Sequence, residues 1–193
     1  PTVYVPQEPR QLDRRDAVRE IEGIATAKAR WGWHTISLTH PDLYALDVCA
    51  IVLGSGRASR LSRTVKDKMG LVTEIGAGSG TPLDAGMFSV DATLVDPSKF
   101  AATEAAILAE IERLKREPVT DEELTRAKNI VAAQYQFNRQ TVEDEAANLG
   151  SNEILAHDVL FDVKYVAGIK SVKAEDLQRV AKTWLTPDNL TCA

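Results

Sequence analysis

The stretch Leu53–Glu74, LGSGRASRLSRTVKDKMGLVTE, holds the chain's clearest set of groups able to bind an anion. Two glycines flank a serine, and Arg57, Arg60, Arg63, Lys66 and Lys68 follow. A phosphate cradle would need GxxxxGK[ST] or GxGxxG directly after a strand, so that backbone N–H groups converge on the phosphates. Here Gly54-Ser55-Gly56 follows an apolar helical run and lacks both the third glycine and the Lys-Ser pair. It reads as a helix end, where glycine relieves left-handed strain and a nearby hydroxyl caps the next helix. The cations, spaced by three, fall along one helical flank: a solvated face, or a surface for a partner or for peptide carboxylates.

Metal and nucleophile chemistry finds little support. The three histidines, His34, His40 and His157, form no HExxH or HxxEH; the nearest approach is Glu153, four residues before His157. Cys49 and Cys192 form no CxxC, and no Cys/His cluster has zinc spacing. They are either two buried thiols or one disulfide closing a long loop. Gly76-Ala77-Gly78-Ser79-Gly80 places its serine one position out of phase with a GxSxG elbow, and a flexible hairpin turn accounts for it better. Acid/base pairs cannot be chosen among 28 carboxylates by spacing alone. The chain shows no self-sufficient active site.

The elements that must position these residues read as follows. Asp16–Gly23 and Ile24–Ser37 are expected strands; in the second, Ala25, Ala27 and Ala29 alternate with Thr26, Lys28 and Arg30 ahead of Trp31 and Trp33. Pro41 opens a helix, apolar nearly all round, that Gly54 and Gly56 end. A second helix runs from about Ser59 to Lys68 and stops at Gly70. Strands over Leu71–Ala77 and Ala85–Val95 flank the turn GSGTPLDAG. Asp96-Pro97 starts a helix that Pro118 stops, and Thr120-Asp-Glu-Glu123 is a capping box for the next, towards Arg139. Further helices cover about Val142–His157, Asp162–Ile169 and Ala174–Leu185, before a last strand over Asn189–Ala193. This order is not a βα repeat. It predicts an α+β fold, a two-layer sandwich with a largely antiparallel sheet and helices packed on one face.

The chain has 193 residues, 44% hydrophobic and 26% charged, with a formal net charge of −5. That suits one domain with its own core and argues against a dedicated nucleic-acid binder. No apolar run is long enough for a membrane span. The opening PTVYVPQEPRQ has the texture of a linker, so residues 1–15 are expected to lead in from a preceding domain and 16–193 to form the domain proper. No targeting signal fixes a compartment, and a bacterial periplasmic or cytoplasmic setting is the working assumption.

Three stretches together carry a resemblance: HPDLYALDVCAIVLGSGRASRLSRTVKDKMGLV, LVDPSKFAATEAAILAEIERLKREPVTDEELTRAKN and SVKAEDLQRVAKTWLTPDNLT. They resemble the insulinase/pitrilysin family of zinc metallopeptidases, the inverzincins, which includes mitochondrial processing peptidase and respiratory-complex core proteins. The likeness is to the second, non-zinc domain of a family subunit. It implies an α/β sandwich domain that pairs with a preceding domain, two such halves closing around a chamber for unfolded peptide. Zinc is then expected in the preceding domain, on an HxxEH and a downstream Glu, with none in this chain, which should be inactive alone. The implied partners are the zinc-bearing domain, a second family subunit in a homo- or heterodimer, and extended peptide held by strand pairing.

In the family, second-type domains often carry an Arg and, seven residues on, a Tyr that reach the substrate. Alignment on Gly70-Leu71 puts Lys66 and Thr73 there. Lys lacks the bidentate fork of Arg, and Thr lacks the phenol and its reach. The departure fits either a domain of the metal-bearing subunit or a scaffold-like domain of a catalytically inactive member; a stand-alone peptide-binding module is the third reading. Lys173 stands where the family usually has a capping Thr, with Asp176 in the first turn to offset part of the loss.

Overall fold

The computed structural model describes residues 9–23 and 26–193. The strands are β1 (Arg15–Asp16), β2 (Lys28–His34), β3 (Val72–Gly80), β4 (Met87–Leu94) and β5 (Leu190–Cys192). The α-helices are α1 (Leu43–Gly54), α2 (Phe100–Arg116), α3 (Asp121–Phe137), α4 (Val142–Ala156), α5 (Phe161–Ser171) and α6 (Ala174–Trp184), and a π-helix spans Ser62–Lys68. The sheet order is β1-β5-β2-β4-β3. Only β1 and β5 are parallel; the other pairs are antiparallel. The expected α+β sandwich is what forms.

The period-two pattern explains the covered face. Ala29, Trp31 and Trp33 of β2 and Phe88, Val90, Ala92 and Leu94 of β4 point into the core, while Lys28, Arg30 and Met87 are exposed. Trp31 stacks on Phe100 at 5.7 Å, and its indole N–H donates to Glu104 at 3.0 Å, which joins the sheet to α2. Trp33 meets Phe88 edge to face at 6.3 Å. Helix α1 is apolar all round because it is covered all round: it packs on β3 below and on α3, α5 and α6 about it. Leu46, Val48, Cys49, Val52 and Leu53 have no exposed surface.

The capping box at α3 is present: Glu123 N–H donates to Thr120 Oγ1 at 3.2 Å and Thr120 N–H to Glu123 Oε2 at 3.0 Å. At α6 only the reciprocal half survives. Asp176 Oδ2 accepts from Lys173 N–H at 2.8 Å, and the lysine side chain has no acceptor to return. Both cysteines are buried free thiols.

Two expectations are corrected. Asp16–Gly23 is not a strand. Pairing stops at Arg15–Asp16 because β5, its partner, is three residues long, and Val18 and Ile21 are left exposed. Ile24 and Ala25 lie outside the described residues, and the second strand begins at Lys28. GAGSG is not a turn but the last five residues of β3, paired with β4 as far as Gly80↔Met87. Within the segment 1–15, Gln11 and Arg14 contact the rest of the fold. Gln11 is buried, donating to Leu190 O at 2.9 Å and accepting from Thr191 Oγ1 at 3.1 Å. Arg14 grips Glu104 through two hydrogen bonds of 3.0 and 2.9 Å.

Gly54 and Gly56 serve different needs. Gly56 has φ +76° and open space around it, so it is the left-handed residue. Gly54 belongs to α1, and a β-carbon there would fall 1.9 Å from the backbone nitrogen of Ala77 on β3. Gly54→Ala is therefore expected to cost about 3 kcal/mol, since the obstacle is backbone that cannot rotate away. Gly56→Ala should cost about 1 kcal/mol, from conformation alone. Urea unfolding of the two variants checks the order; equal losses would show that α1 does not rest on β3 at this point.

Candidate functional site

The π-helix and β3 form one continuous device. Widened i→i+5 bonding ends the helix: Met69 N–H reaches Thr64 O at 3.1 Å, and Gly70, at φ +61°, turns the chain into β3. Leu71 N–H returns to Val65 O at 3.1 Å, so strand and helix share a hydrogen-bonded corner. The opposite side of β3 from β4 pairs with no described strand. Its surface-facing positions include glycines at 76, 78 and 80, aligned with Asp91, Ser89 and Met87 of β4.

Lys66 lies on this π-helix, exposed, with its carbonyl accepting from Gly70 N–H at 3.0 Å. Thr73 is the extra residue of a β-bulge between Val72 and Glu74, and its hydroxyl donates to Thr93 O at 3.3 Å. The two residues therefore sit on either side of the Gly70 turn. Arg57, Arg63 and Lys68 are exposed as expected, but Arg60 is not on their solvated flank. It is 5% exposed and forks onto Glu123, Nε to Oε1 and Nη2 to Oε2, both at 2.7 Å. Spacing by three keeps one flank only in a regular α-helix; here a loop and a π-turn interrupt it.

Sequence reading missed Glu123's second role. The cap of α3 is also the counter-ion of Arg60, and the arginine's grip, against burial, holds the Glu123 carboxyl at a pKa of about 2. Arg60 Nη1 remains buried without a partner. Thr64 Oγ1 donates to the buried Glu110 at 3.0 Å, which fastens the π-helix to α2 as well.

Another carboxylate, half-buried, stands on α1. Asp47 of α1 accepts from Tyr165 Oη of α5 at 2.6 Å. The Ser79 hydroxyl approaches the same carboxylate without completing a well-formed hydrogen bond. Burial pushes Asp47 up to about 6, partly offset by these hydroxyls. The start of α1 is tied to α6 in the same manner: Asp42 accepts from Trp184 Nε1 at 2.9 Å and pairs with Arg179 at 2.7 Å. Burial alone would raise the Asp42 pKa, but Trp184, Arg179 and His40 together hold it below the ordinary range.

His40 and His157 are engaged in local structure. His40 Nδ1 accepts from Asp42 N–H at 3.0 Å and its ring meets Trp184 edge-on. His157 is the left-handed cap of α4, at φ 52°, so the Glu153–His157 spacing is spent on ending a helix: His157 N–H donates to Glu153 O at 3.1 Å. Among the described residues no group of three or more His, Cys, Asp or Glu could hold a metal ion. Burial raises the thiol of Cys49 to about 12 and that of Cys192 to about 11, so neither is a ready nucleophile. No described helix is long and apolar enough to cross a membrane.

Comparison with known proteins places this fold in a family. Residues 1–131 match the family model described as the peptidase M16 inactive domain. The chain is similar to the zinc protease PqqE of Helicobacter pylori, 28% identical over 184 residues, covering 95% of this chain and 41% of that protein. It is 27% identical over 139 residues to a zinc protease of Rickettsia bellii, covering 72% of this chain and 33% of that one. Its fold matches the crystal structure of a Helicobacter pylori protease with a TM-score of 0.88 at 26% identity, over 96% of this chain and 45% of that chain. The inactive peptidase domain of a candidate zinc protease from Bordetella parapertussis shares the fold at a TM-score of 0.76 and 23% identity, over 86% and 88% of the two chains. The chain belongs to the insulinase/M16 peptidase family, as an inactive domain of it. It spans less than half the length of the curated relatives it matches.

Two stability measurements test the half-buried carboxylates Glu123 and Asp47. Glu123 has a folded pKa depressed to about 2 from an ordinary value of about 4, so its contribution is full at neutral pH and is lost as pH falls from about 4 to 2. Glu123→Gln should cost about 3–5 kcal/mol at pH 7, because Arg60 is left buried without a counter-ion. The penalty should shrink below pH 4; a penalty constant down to pH 2 would contradict the ion pair. Asp47 has the opposite sign. Its folded pKa of about 6 lies above the ordinary value, so protonation favours the fold and stability rises as pH falls from about 6 to 4. Asp47→Asn should be the more stable form at pH 7.5, by up to about 2 kcal/mol, and should lose that rise. Denaturant titrations across this range decide it.

Proposed function

We propose that this chain is the non-catalytic C-terminal domain of a zinc metalloendopeptidase subunit, that it walls the proteolytic chamber, and that it helps bind extended peptide substrate. The observation that carries the reading is β3: a nine-residue edge strand whose outer side pairs with no described strand. Its glycine-rich end leaves room for an incoming backbone. Zinc and the water it activates would belong to a companion domain, since His40 and His157 here are engaged in local structure. Relatives more than twice as long as this chain support such a companion. Lys66 and Thr73 would contribute at the β3 entrance, Lys66 as a point charge and Thr73 through the bulge rather than through its bonded hydroxyl.

The test is backbone hydrogen exchange on this chain with an unfolded, proline-free peptide. Slowed exchange confined to residues 74–80 is expected, and it should vanish when the peptide is N-methylated at alternate residues. Peptide binding that leaves β3 exchange unchanged would remove the strand-pairing role.

A further inference from the structure

The two ends of β3 carry opposite charge, and this sets a direction for whatever pairs with it. At the start of the strand, Arg63, Lys66 and Lys68 of the π-helix are exposed and make no ion pair with a described residue, against Asp67 and Glu74. Arg60, just ahead of that helix, is neutralised internally by Glu123. Glu74 shares a cross-strand row with Thr93 and Lys28, so one of the two acids has a basic neighbour across the sheet. At the far end, residues 81–86 hold the exposed Asp84 and no cation. Nine residues of strand separate the two ends, a span of roughly 30 Å. That exceeds the Debye length of about 8 Å at physiological salt, so each end acts on its own part of a bound chain.

We infer that β3 takes an extended peptide antiparallel to itself, with the peptide's carboxylate end at the cationic π-helix and its amino end beside Asp84, and so selects segments that are anionic towards their C-terminus. This rests on the peptide-binding reading above and adds polarity and charge preference to it. Both physical factors agree. An antiparallel chain continues the pairing that links β3, β4, β2 and β5. The same direction brings the terminal or side-chain carboxylates to unpaired ammonium and guanidinium groups, whereas the parallel direction would bring them to Asp84.

The experiment uses this chain and fluorescent nonapeptides of alternating polar and apolar residues ending in Asp with a free carboxylate, compared with the same peptide ending in Asn as its amide. At low salt the anionic peptide should bind about five- to tenfold more tightly. The difference should fall away in half-molar salt and in the Lys66→Ala/Lys68→Ala double variant, whose changes are on the surface and leave the core intact. A paramagnetic tag at the peptide's C-terminus should broaden amide signals of residues 71–74, and a tag at its N-terminus those of residues 79–81. The opposite broadening pattern, or equal affinity of the two peptides with β3 still protected, overturns the polarity and leaves strand pairing standing. If no peptide protects β3 at all, both readings fall.

Discussion

The approach of α1 to β3 at Gly54 is the constraint on which the rest depends. With no β-carbon in the way, the last turn of an almost wholly buried helix lies against the backbone of Ala77. Because the contact is backbone to backbone, it fixes the height of α1 above the sheet far more sharply than interleaved side chains would. Everything after Gly54 inherits that position: the left-handed Gly56, the π-helix that follows, and the corner where Leu71 bonds back to Val65. One face of β3 is thereby sealed while its outer edge stays free. The strand is held firmly from behind, and an edge that must pair with an incoming chain gains from being rigid before it does so.

Charge placement around the same strand follows one rule. Arg60, the buried cation of the segment that leads into β3, is fastened to Glu123, and the exposed cations of the π-helix make no ion pair with a described residue. Arg60 and Glu123 make a bidentate pair that orients the start of the π-helix against α3, and Thr64 with Glu110 does the same against α2. Such buried pairs are weak evidence for net stability, because desolvation consumes much of their attraction. Their use here is directional, since they permit one rotation of the π-helix, with Val65 inward and Lys66 and Lys68 outward. Asp47 stands apart. Its partner is the neutral Tyr165, not a cation, so its charge is uncompensated, and α5 is seated on α1 through a group that favours the protonated state.

Much of this fold is legible in the sequence, and what is not has physical causes. Capping chemistry is local, so Thr120 and Glu123 mark α3 without tertiary information. Alternation from Ala27 to Trp33 marks β2 for the same reason. Glycine is ambiguous because it answers two different demands. The run GAGSG looks like a turn by composition but is strand, since glycines here face the open side of the sheet and not a bend. Gly54 looks like a cap by position, yet its need is proximity to a residue 23 positions away, which no local pattern records. The failed strand at Asp16–Gly23 has a different cause: a strand needs a partner of equal length, and β5 has three residues. At the candidate site, Lys66 and Thr73 came from the family resemblance. The partnership of Arg60 with Glu123, 63 positions apart, and that of Asp47 with Tyr165, 118 apart, could be seen only once the chain was folded.

The sheet treats its two edges differently, and the difference bears on what β3 is for. An unpaired strand edge invites uncontrolled association, and proteins blunt such edges by making them short, charged or irregular. β1 is blunted in two of these ways: it is two residues long, and Arg14 and Asp16 pair across it with Glu104 close by. β3 is nine residues long, and its one irregularity, the bulge at Thr73, lies at its start and leaves the remainder regular. Its protection is of another kind. Glycines at 76, 78 and 80 offer no side chains for a second copy to pack against, which weakens self-pairing while leaving the backbone groups in place. The exposed cations at its head, Arg63, Lys66 and Lys68, make no ion pair with a described residue. An edge kept long, regular and poor in side chains gives up the usual defences but retains main-chain pairing, and main-chain pairing is the part of recognition that tolerates many peptide sequences.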